Sequence, residues 1–460
     1  MDADWILSTC VYILLAVAFI LIVTRFKTKM IPGYRPSDKE LGNFAEIGKA
    51  GSFMKFLQTG HKQFGPVFQF WWGKNRAVSL ASVELFKAVR DLPDRPPQSF
   101  ESFIRLIGPK SIQITNGPEW AFRNQKYHKP LLNIHAVYQN IVPKLNELIA
   151  QEVLPYFETH ASPDQPIALD EVCFNYPTQS VSHILFGSSV SRDEVMEIVK
   201  SYGIVLDNLT FKKSGSQTEE EEELFEVQLE RMKSVIYKAM KSADKGAPND
   251  TMLKYYEAED EEVKIDDMIT FMVGGFHTSN FLIQWSLYLA AKYPKEQEKL
   301  LNELEHFGPN FEGKLETMPF MRNFIDEAIR WSDLAIFTVR HSEANDIPIP
   351  GGLVIPKKTM IYQSIAVLGK DESLWDNPEE FMPDRFNQAE SRSLKFSPFG
   401  FAGGRGCPGR AMAYAEVKLF LAEVVRRYKV SLPHSDYTVG KNYSLISRPE
   451  PPLELIFTRR

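Results

Sequence analysis

Residues 396–410, Phe-Ser-Pro-Phe-Gly-Phe-Ala-Gly-Gly-Arg-Gly-Cys-Pro-Gly-Arg, constrain this chain more than any other stretch. They set Cys407 in a glycine-rich loop that runs directly into a helix predicted over residues 411–428. The free N–H groups and dipole at a helix start favour negative charge, so a thiolate is more easily held there. Glycines ahead of the cysteine let backbone N–H groups approach the sulfur without side-chain clash. Pro408 suits a first helical position. Gly404-Arg-Gly-Cys-Pro-Gly also matches the G-x-G-x-x-G pattern of dinucleotide folds. Pro398 and the nearby glycines spoil the strand that pattern requires, and too little chain follows for a βαβ unit. Taken alone, the loop leaves open both a metal-ligating thiolate and a cysteine that merely lies in a tight turn.

The other two of the three cysteines, Cys10 and Cys173, sit among apolar residues, where thiols usually pack rather than react. No pairing pattern suggests a disulfide framework, so the main body belongs in a reducing compartment. A net charge of −6 offers no basic excess to neutralise phosphates, which argues against a dedicated nucleic-acid binder.

Residues 5–24, WILSTCVYILLAVAFILIVT, carry no charge. About twenty helical residues span about 30 Å, enough to cross a bilayer core. Asp2 and Asp4 precede the run, and Arg25, Lys27 and Lys29 follow it. The basic flank stays cytoplasmic, which leaves the body facing the cytosol. A cleaved signal peptide fits less well, because the run is long, follows acids and ends without a small-residue cleavage site. Ile31-Pro-Gly-Tyr-Arg-Pro then stops the helix. Residues 1–30 are therefore expected to form an anchor with its basic flank, and residues 31–460 a single domain.

Within that domain a helix is expected over residues 51–65, then a hairpin of two aromatic-rich strands split by Gly73-Lys-Asn. Residues 118–293 read as mainly helical, with one long apolar helix over 267–289. The acidic run within 214–223 reads as a solvated helix start. Residues 348–356 return to turns and short strands. The expected class is mainly α with a smaller β portion.

Further motifs follow in order. Glu327 and Arg330 stand at i, i+3 on one helix, and Phe381-Met-Pro-Asp-Arg-Phe supplies Arg385. Arg340 falls ten residues after Arg330. Asn116-Gly-Pro-Glu-Trp opens a helix with Trp120, Arg123, Asn124 and His128, and Val273-Gly-Gly-Phe-His-Thr-Ser lies on the long helix. Together with Gly403, Arg405, Cys407 and Gly409, this set resembles the cytochrome P450 superfamily across residues 30–460. The Ile31 link, the strand Gly65-Pro-Val-Phe-Gln-Phe-Trp-Trp-Gly and the Phe399-Gly-Phe spacing are most similar to its orphan family 20 branch.

That resemblance implies a cytochrome P450 fold and haem b with Cys407 as axial thiolate. Arg405, Arg340, Trp120, Gly275 and Phe401 would contact the cofactor, and Thr278 and His277 would be catalytic. Glu327, Arg330 and Arg385 would form a buried structural network. Three positions depart from the family pattern. Gly400 stands where an aromatic is usual, with Phe399 and Phe401 beside it. Asn124 stands where an arginine is usual, with Arg123 beside it. His277 stands where an acid is usual, either relaying protons or making a structural hydrogen bond.

The implied activity is a membrane-anchored monooxygenase acting on an apolar small molecule. Its electrons would come from an NADPH–cytochrome P450 reductase, with cytochrome b5 as a further partner. Arg410, Lys418, Arg426 and Arg427 would offer a basic docking face. Localisation would be single-pass at the endoplasmic reticulum. Phe100, Phe103, Ile104 and residues 202–211 are candidate substrate contacts. Two other classes stay open: a haem-thiolate isomerase, dehydratase or peroxide-using enzyme, and a non-catalytic haem-binding sensor.

Overall fold

The computed structural model describes residues 30–187, 190–209, 218–243, 250–308, 312–393, 395–400 and 405–460. The apolar run at 5–24, Cys10, residues 214–217, Phe401 and Gly403 lie outside them. Among the described residues no helix is long and apolar enough to cross a membrane.

The β portion grows from the aromatic hairpin. Strand β1 (Val67–Trp72) pairs antiparallel with β2 (Asn75–Leu80), in the register Val67↔Leu80 to Trp72↔Asn75. Gly73, at φ 57°, makes the turn in the left-handed region. Strand β3 (Thr338–Arg340) pairs antiparallel with β4 (Met360–Gln363), and β4 joins β2 in parallel, giving the order β1-β2-β4-β3. Helix α1 (Phe53–Phe64) starts at Ser52, whose side chain accepts from the Lys55 N–H. It lays Phe53 and Phe56 onto Phe68, Phe70 and Tyr362 of the sheet, all buried. The Phe53 and Tyr362 rings meet edge-on with centroids 5.4 Å apart.

The helical portion is built from α2 (Gly117–Arg123), α3 (Asp170–Phe186), α4 (Arg192–Leu209), α5 (Glu219–Ala243), α6 (Glu261–Lys292), α7 (Pro319–Ser332) and α8 (Arg410–Arg427). Helix α6, at 32 residues, runs about 48 Å. Its second half is buried on nearly every side, which is why its sequence is apolar all round. Helix α5 opens on Glu219, Glu220, Glu221 and Glu222, the carboxylate-rich first turn expected of a solvated helix start. Helix α8 begins at Arg410, one residue before the expected start, with Gly409 as its N-cap, so Pro408 precedes the cap and does not sit in the first turn.

One buried ionic network ties α7 to the segment before the cysteine loop. Arg330 Nε and Nη2 donate to Glu327 Oε2 and Oε1 at 2.7 and 2.8 Å, with both side chains fully buried. Arg385 Nε donates to Glu327 Oε1 at 3.0 Å, and the Met382 N–H donates to the same oxygen at 2.9 Å. Arg330 Nη1 donates to the carbonyls of Gly369 and Pro378 at 2.8 and 2.7 Å. Bidentate, charge-assisted pairing of this kind makes burial of the charges tolerable.

Glu327→Leu would leave Arg330 without its carboxylate. The expected loss is about 3–5 kcal/mol of stability, read from the shift in the urea unfolding midpoint. Arg385→Ala should cost less, because Arg330 then still neutralises Glu327.

Candidate functional site

A cavity of about 420 Å³ opens between α6, α8, β3 and the start of α2. Cys407 lies at its wall. The Cys407 N–H donates to the Phe399 carbonyl at 2.7 Å, and the Gly400 N–H donates to the Ser397 carbonyl at 3.0 Å. Gly400 takes φ 88°, a left-handed conformation that an aromatic residue adopts only at a cost. The backbone therefore accounts for glycine at this position. Phe399 lines the cavity instead, its ring 5.3 Å from that of Tyr414. The sulfur is deep in the fold, yet its surface faces the cavity. Burial pushes the Cys407 thiol up from its ordinary range, while the Gly409 N–H and the charges of Arg95 and Arg410 pull it down. The upward effect wins, so holding a thiolate here requires further positive charge at the sulfur.

Across the cavity, α6 presents Gly274 and Thr278, one turn apart and both open to the space. The Thr278 hydroxyl donates to the Gly274 carbonyl at 3.1 Å. A Cβ on Gly274 would meet nothing within 4 Å. Gly275 also borders the cavity, but its missing side chain serves a different neighbour. A Cβ there would stand 2.6 Å from Val181 Cγ2 on α3.

Three guanidinium groups, Arg95, Arg340 and Arg405, converge on one end of the cavity. None forms an ion pair among the described residues. Arg405 donates to the carbonyls of Pro93 at 2.7 Å and Ile112 at 3.3 Å, and its guanidinium lies 4.2 Å over the Trp120 ring. Arg340 Nη1 donates to the Val339 carbonyl at 2.7 Å, and its buried Nε has no partner. Burial lowers Arg340 to about 10, and burial with the neighbouring Arg340 charge lowers Arg405 to about 9. Arg95 is pulled well below its usual range by burial and by both neighbours.

The expected residues are not all brought together. Cys407, Arg405, Arg340, Trp120, Gly275 and Thr278 border one cavity, whereas Phe401 lies outside the described residues. His277 is buried on a different face of α6. Its Nδ1 lies 3.2 Å from the Tyr202 hydroxyl, and its ring packs on those of Tyr202 and Phe281. Burial lowers it to about 3, so it is neutral at physiological pH. A relay by direct contact with the cavity has no geometric support.

Arg123 also turns away from the cavity, donating to Asp267 Oδ2 at 3.0 Å and Glu119 Oε1 at 3.0 Å. Asn124 borders the cavity, and so does Arg95, which the sequence reading did not single out. His128 reaches the wall, but its Nε2 is 2.8 Å from the Tyr256 hydroxyl, in a chain that ends on Asp267. Phe103 packs against the helical core and Phe100 against the aromatic cluster of the sheet, whereas Phe271, Phe337, Ile365 and Ile446 are among the apolar residues that line the cavity. The basic docking face is also smaller than expected. Lys418 is buried and donates to the Leu315 carbonyl at 2.6 Å, and Arg426 and Arg427 pair with Glu423.

A profile described as Cytochrome P450 matches residues 32–457. Cytochrome P450 20A1 of Bos taurus is 25% identical over 437 residues, covering 91% of this chain and 90% of that protein. Its counterpart in Rattus norvegicus is 27% identical over 415 residues, covering 86% of each. The heme domain of cytochrome P450DA superposes with a TM-score of 0.80 over 94% of this chain and 98% of its own, at 19% identity. The last likeness speaks to the fold.

The two glycines of α6 separate by substitution. Gly275→Ala should lower stability by about 1–3 kcal/mol through its clash with Val181, read as a fall in the thermal midpoint. Gly274→Ala should leave the midpoint nearly unchanged, because it meets only open space.

Proposed function

Because the chain belongs to the cytochrome P450 family, whose members are haem-thiolate monooxygenases, we propose that it inserts one oxygen atom of O2 into an apolar organic substrate at a haem held by Cys407. The observation that carries this reading is the placing of Cys407, Gly274 and Thr278, and three guanidiniums without carboxylate partners, around one apolar-walled cavity. The donor set fits the group. Among the described residues no cluster of three or more His, Cys, Asp or Glu could hold a metal ion, so a metal at Cys407 must bring its other donors with it. An iron porphyrin brings four nitrogens, and its two propionates match the unpaired guanidiniums of Arg95, Arg340 and Arg405. When bound, it supplies the redox chemistry that activates O2, with a thiolate ligand favouring O–O cleavage.

The chain's own residues would do the rest. Cys407 would ligate, its backbone N–H fixed by the Phe399 carbonyl so that the sulfur keeps its direction. Arg340 and Arg405 would anchor the acidic edge, with Trp120 stacked beneath Arg405. Gly274 would leave room on α6 for a flat ring and a small gas. Thr278 would release the Gly274 carbonyl and turn its hydroxyl into the cavity as a proton donor. Phe337, Ile365 and Ile446 would bound the substrate and exclude water.

The finer reading places residues 1–30 as a single-pass anchor at the endoplasmic reticulum, with residues 31–460 as a cytosolic catalytic domain. Electrons would come from an NADPH-dependent reductase, with cytochrome b5 as a second donor. Arg410, exposed at the start of α8, is the part of the expected basic face that remains available for docking.

One observation favours a second reading, a peroxide-using haem-thiolate enzyme: His277 faces Tyr202 and not Thr278. Turnover with added peroxide and no reductase distinguishes the two.

The reduced carbon monoxide complex of the haem-loaded protein should show the red-shifted Soret band of a thiolate-ligated iron. Cys407→Ser should abolish that band while leaving the protein folded by circular dichroism. An unchanged band in the variant would sink the assignment. Thr278→Ala should keep the band but lower the product formed per electron, because a proton donor is lost.

A further inference from the structure

The backbone of residues 108–116 is used on both of its sides. Toward α6 it presents N–H groups. The Lys110 N–H donates to Asp266 Oδ2 at 2.7 Å, and the Ile112 N–H donates to Asp267 Oδ1 at 2.6 Å. Between them the Ser111 and Thr270 hydroxyl oxygens lie 2.7 Å apart. Gly108, at φ 80°, sits against the Asp266 carboxyl, where a Cβ would overlap it. Toward the cavity's arginines the same loop presents carbonyls. Arg405 donates to those of Ile112 and Thr115, and Arg95 Nη1 donates to that of Gln113 at 3.1 Å. Asn116 Oδ1 accepts from Arg405 Nη2 at 2.8 Å and from the Arg95 N–H at 2.9 Å.

Asp267 is fully buried where these bonds meet. Its Oδ1 takes the Ile112 N–H, and its Oδ2 takes Arg123 Nη1 at 3.0 Å and the Tyr256 hydroxyl at 2.6 Å. A buried carboxylate is tolerable with so complete a set of donors. Arg123 Nη1 also donates to the Lys110 carbonyl at 2.9 Å, so the counter-ion grips the loop as well. Because Arg123 answers the Asp267 charge, that carboxylate can hold the loop without drawing Arg95 and Arg405 away from the cavity. Those two arginines feel one another's charge and that of Arg340. Like charges held this close keep a fixed direction only if their acceptors are fixed. The acceptors here are loop carbonyls, and α6 fixes the loop.

Resting on the haem-thiolate reading above, we infer that Asp267 is a positioning residue for the cofactor's acidic edge: through the Ile112 peptide it aims Arg95 and Arg405, neither of which it touches. One helix then sets both ends of the site. Thr278 faces the cavity from α6, and Asp267, about three turns earlier on the same helix, holds the loop that directs the guanidiniums.

The test titrates the cofactor-free full chain with haem b and with its dimethyl ester, in which both propionates are capped. The native chain should bind haem b more tightly, because free carboxylates alone pair with the guanidiniums. Asp267→Asn should weaken haem b by about tenfold, the scale of one charge-assisted hydrogen bond. It should leave the ester nearly unaffected, so the preference between the two shrinks by the same factor. Asp267→Glu should restore part of that preference. Thr270→Val removes the bond to Ser111 without stranding a charge. It should shrink the preference by less, and it carries the test if Asp267→Asn fails to fold. Equal weakening of haem b and the ester would mark a packing role alone and overturn the inference. So would haem b binding that the variants leave unchanged. A native chain that binds the two cofactors alike, or lacks the thiolate Soret band, would instead overturn the reading on which the inference rests.

Discussion

Glu327 accepts from two arginines and a backbone N–H in a part of the core that water does not reach. Much of the site's geometry depends on that carboxylate. Helix α7 ends at Ser332, Asp333 turns the chain at φ 58°, and the chain then enters β3, which carries Arg340. The carbonyls of Gly369, Pro378 and Glu380 close on Arg330 from the other side, and their segment runs on toward the cysteine loop. A single anion thus fixes how far β3 stands from the loop that holds Cys407. A well-packed apolar substitute could match its stability but not supply the directional bonds that set this spacing.

A second constraint is the stripe geometry of α6. Side chains one turn apart share a face, and adjacent residues point about 100° apart. Gly274 and Thr278 fall on one stripe and meet the cavity together, and Gly275 and Ser279 fall on the next. His277 lies on a third, beside Phe281, and meets Tyr202. The family pattern drew attention to the position's identity, whereas the angle decides what the side chain touches.

Other parts of the site differ in how far the sequence reveals them. The hairpin of β1 and β2, the long α6 and the helix after Cys407 follow from local pattern, because each buries a periodic or continuous apolar run. Glu327 and Arg330 pair locally at i, i+3, whereas Arg385 lies far along the chain and joins them in the reading only through family resemblance. Arg95 had no local signal. It sits in Pro93-Asp-Arg-Pro-Pro, a turn whose composition reads as surface, and it reaches the cavity because the fold brings that turn against the cysteine loop. Lys418 misled for a related reason. On a helix with one wet face such a residue would be solvated, but α8 is packed on nearly every side, so its polar positions are buried too. Periodicity reports a face only where a helix has two environments.

Burial biases each ionisable group around the cavity toward its neutral form. It pushes Cys407 and Glu416 up and pulls Arg95, Arg340 and Arg405 down. These biases differ in what would relieve them. The arginines need anions and the sulfur needs a cation, and an iron porphyrin with two carboxylates offers both in one rigid body. The chain therefore builds one half of several ion pairs, each unfavourable alone, at positions that one ligand can complete.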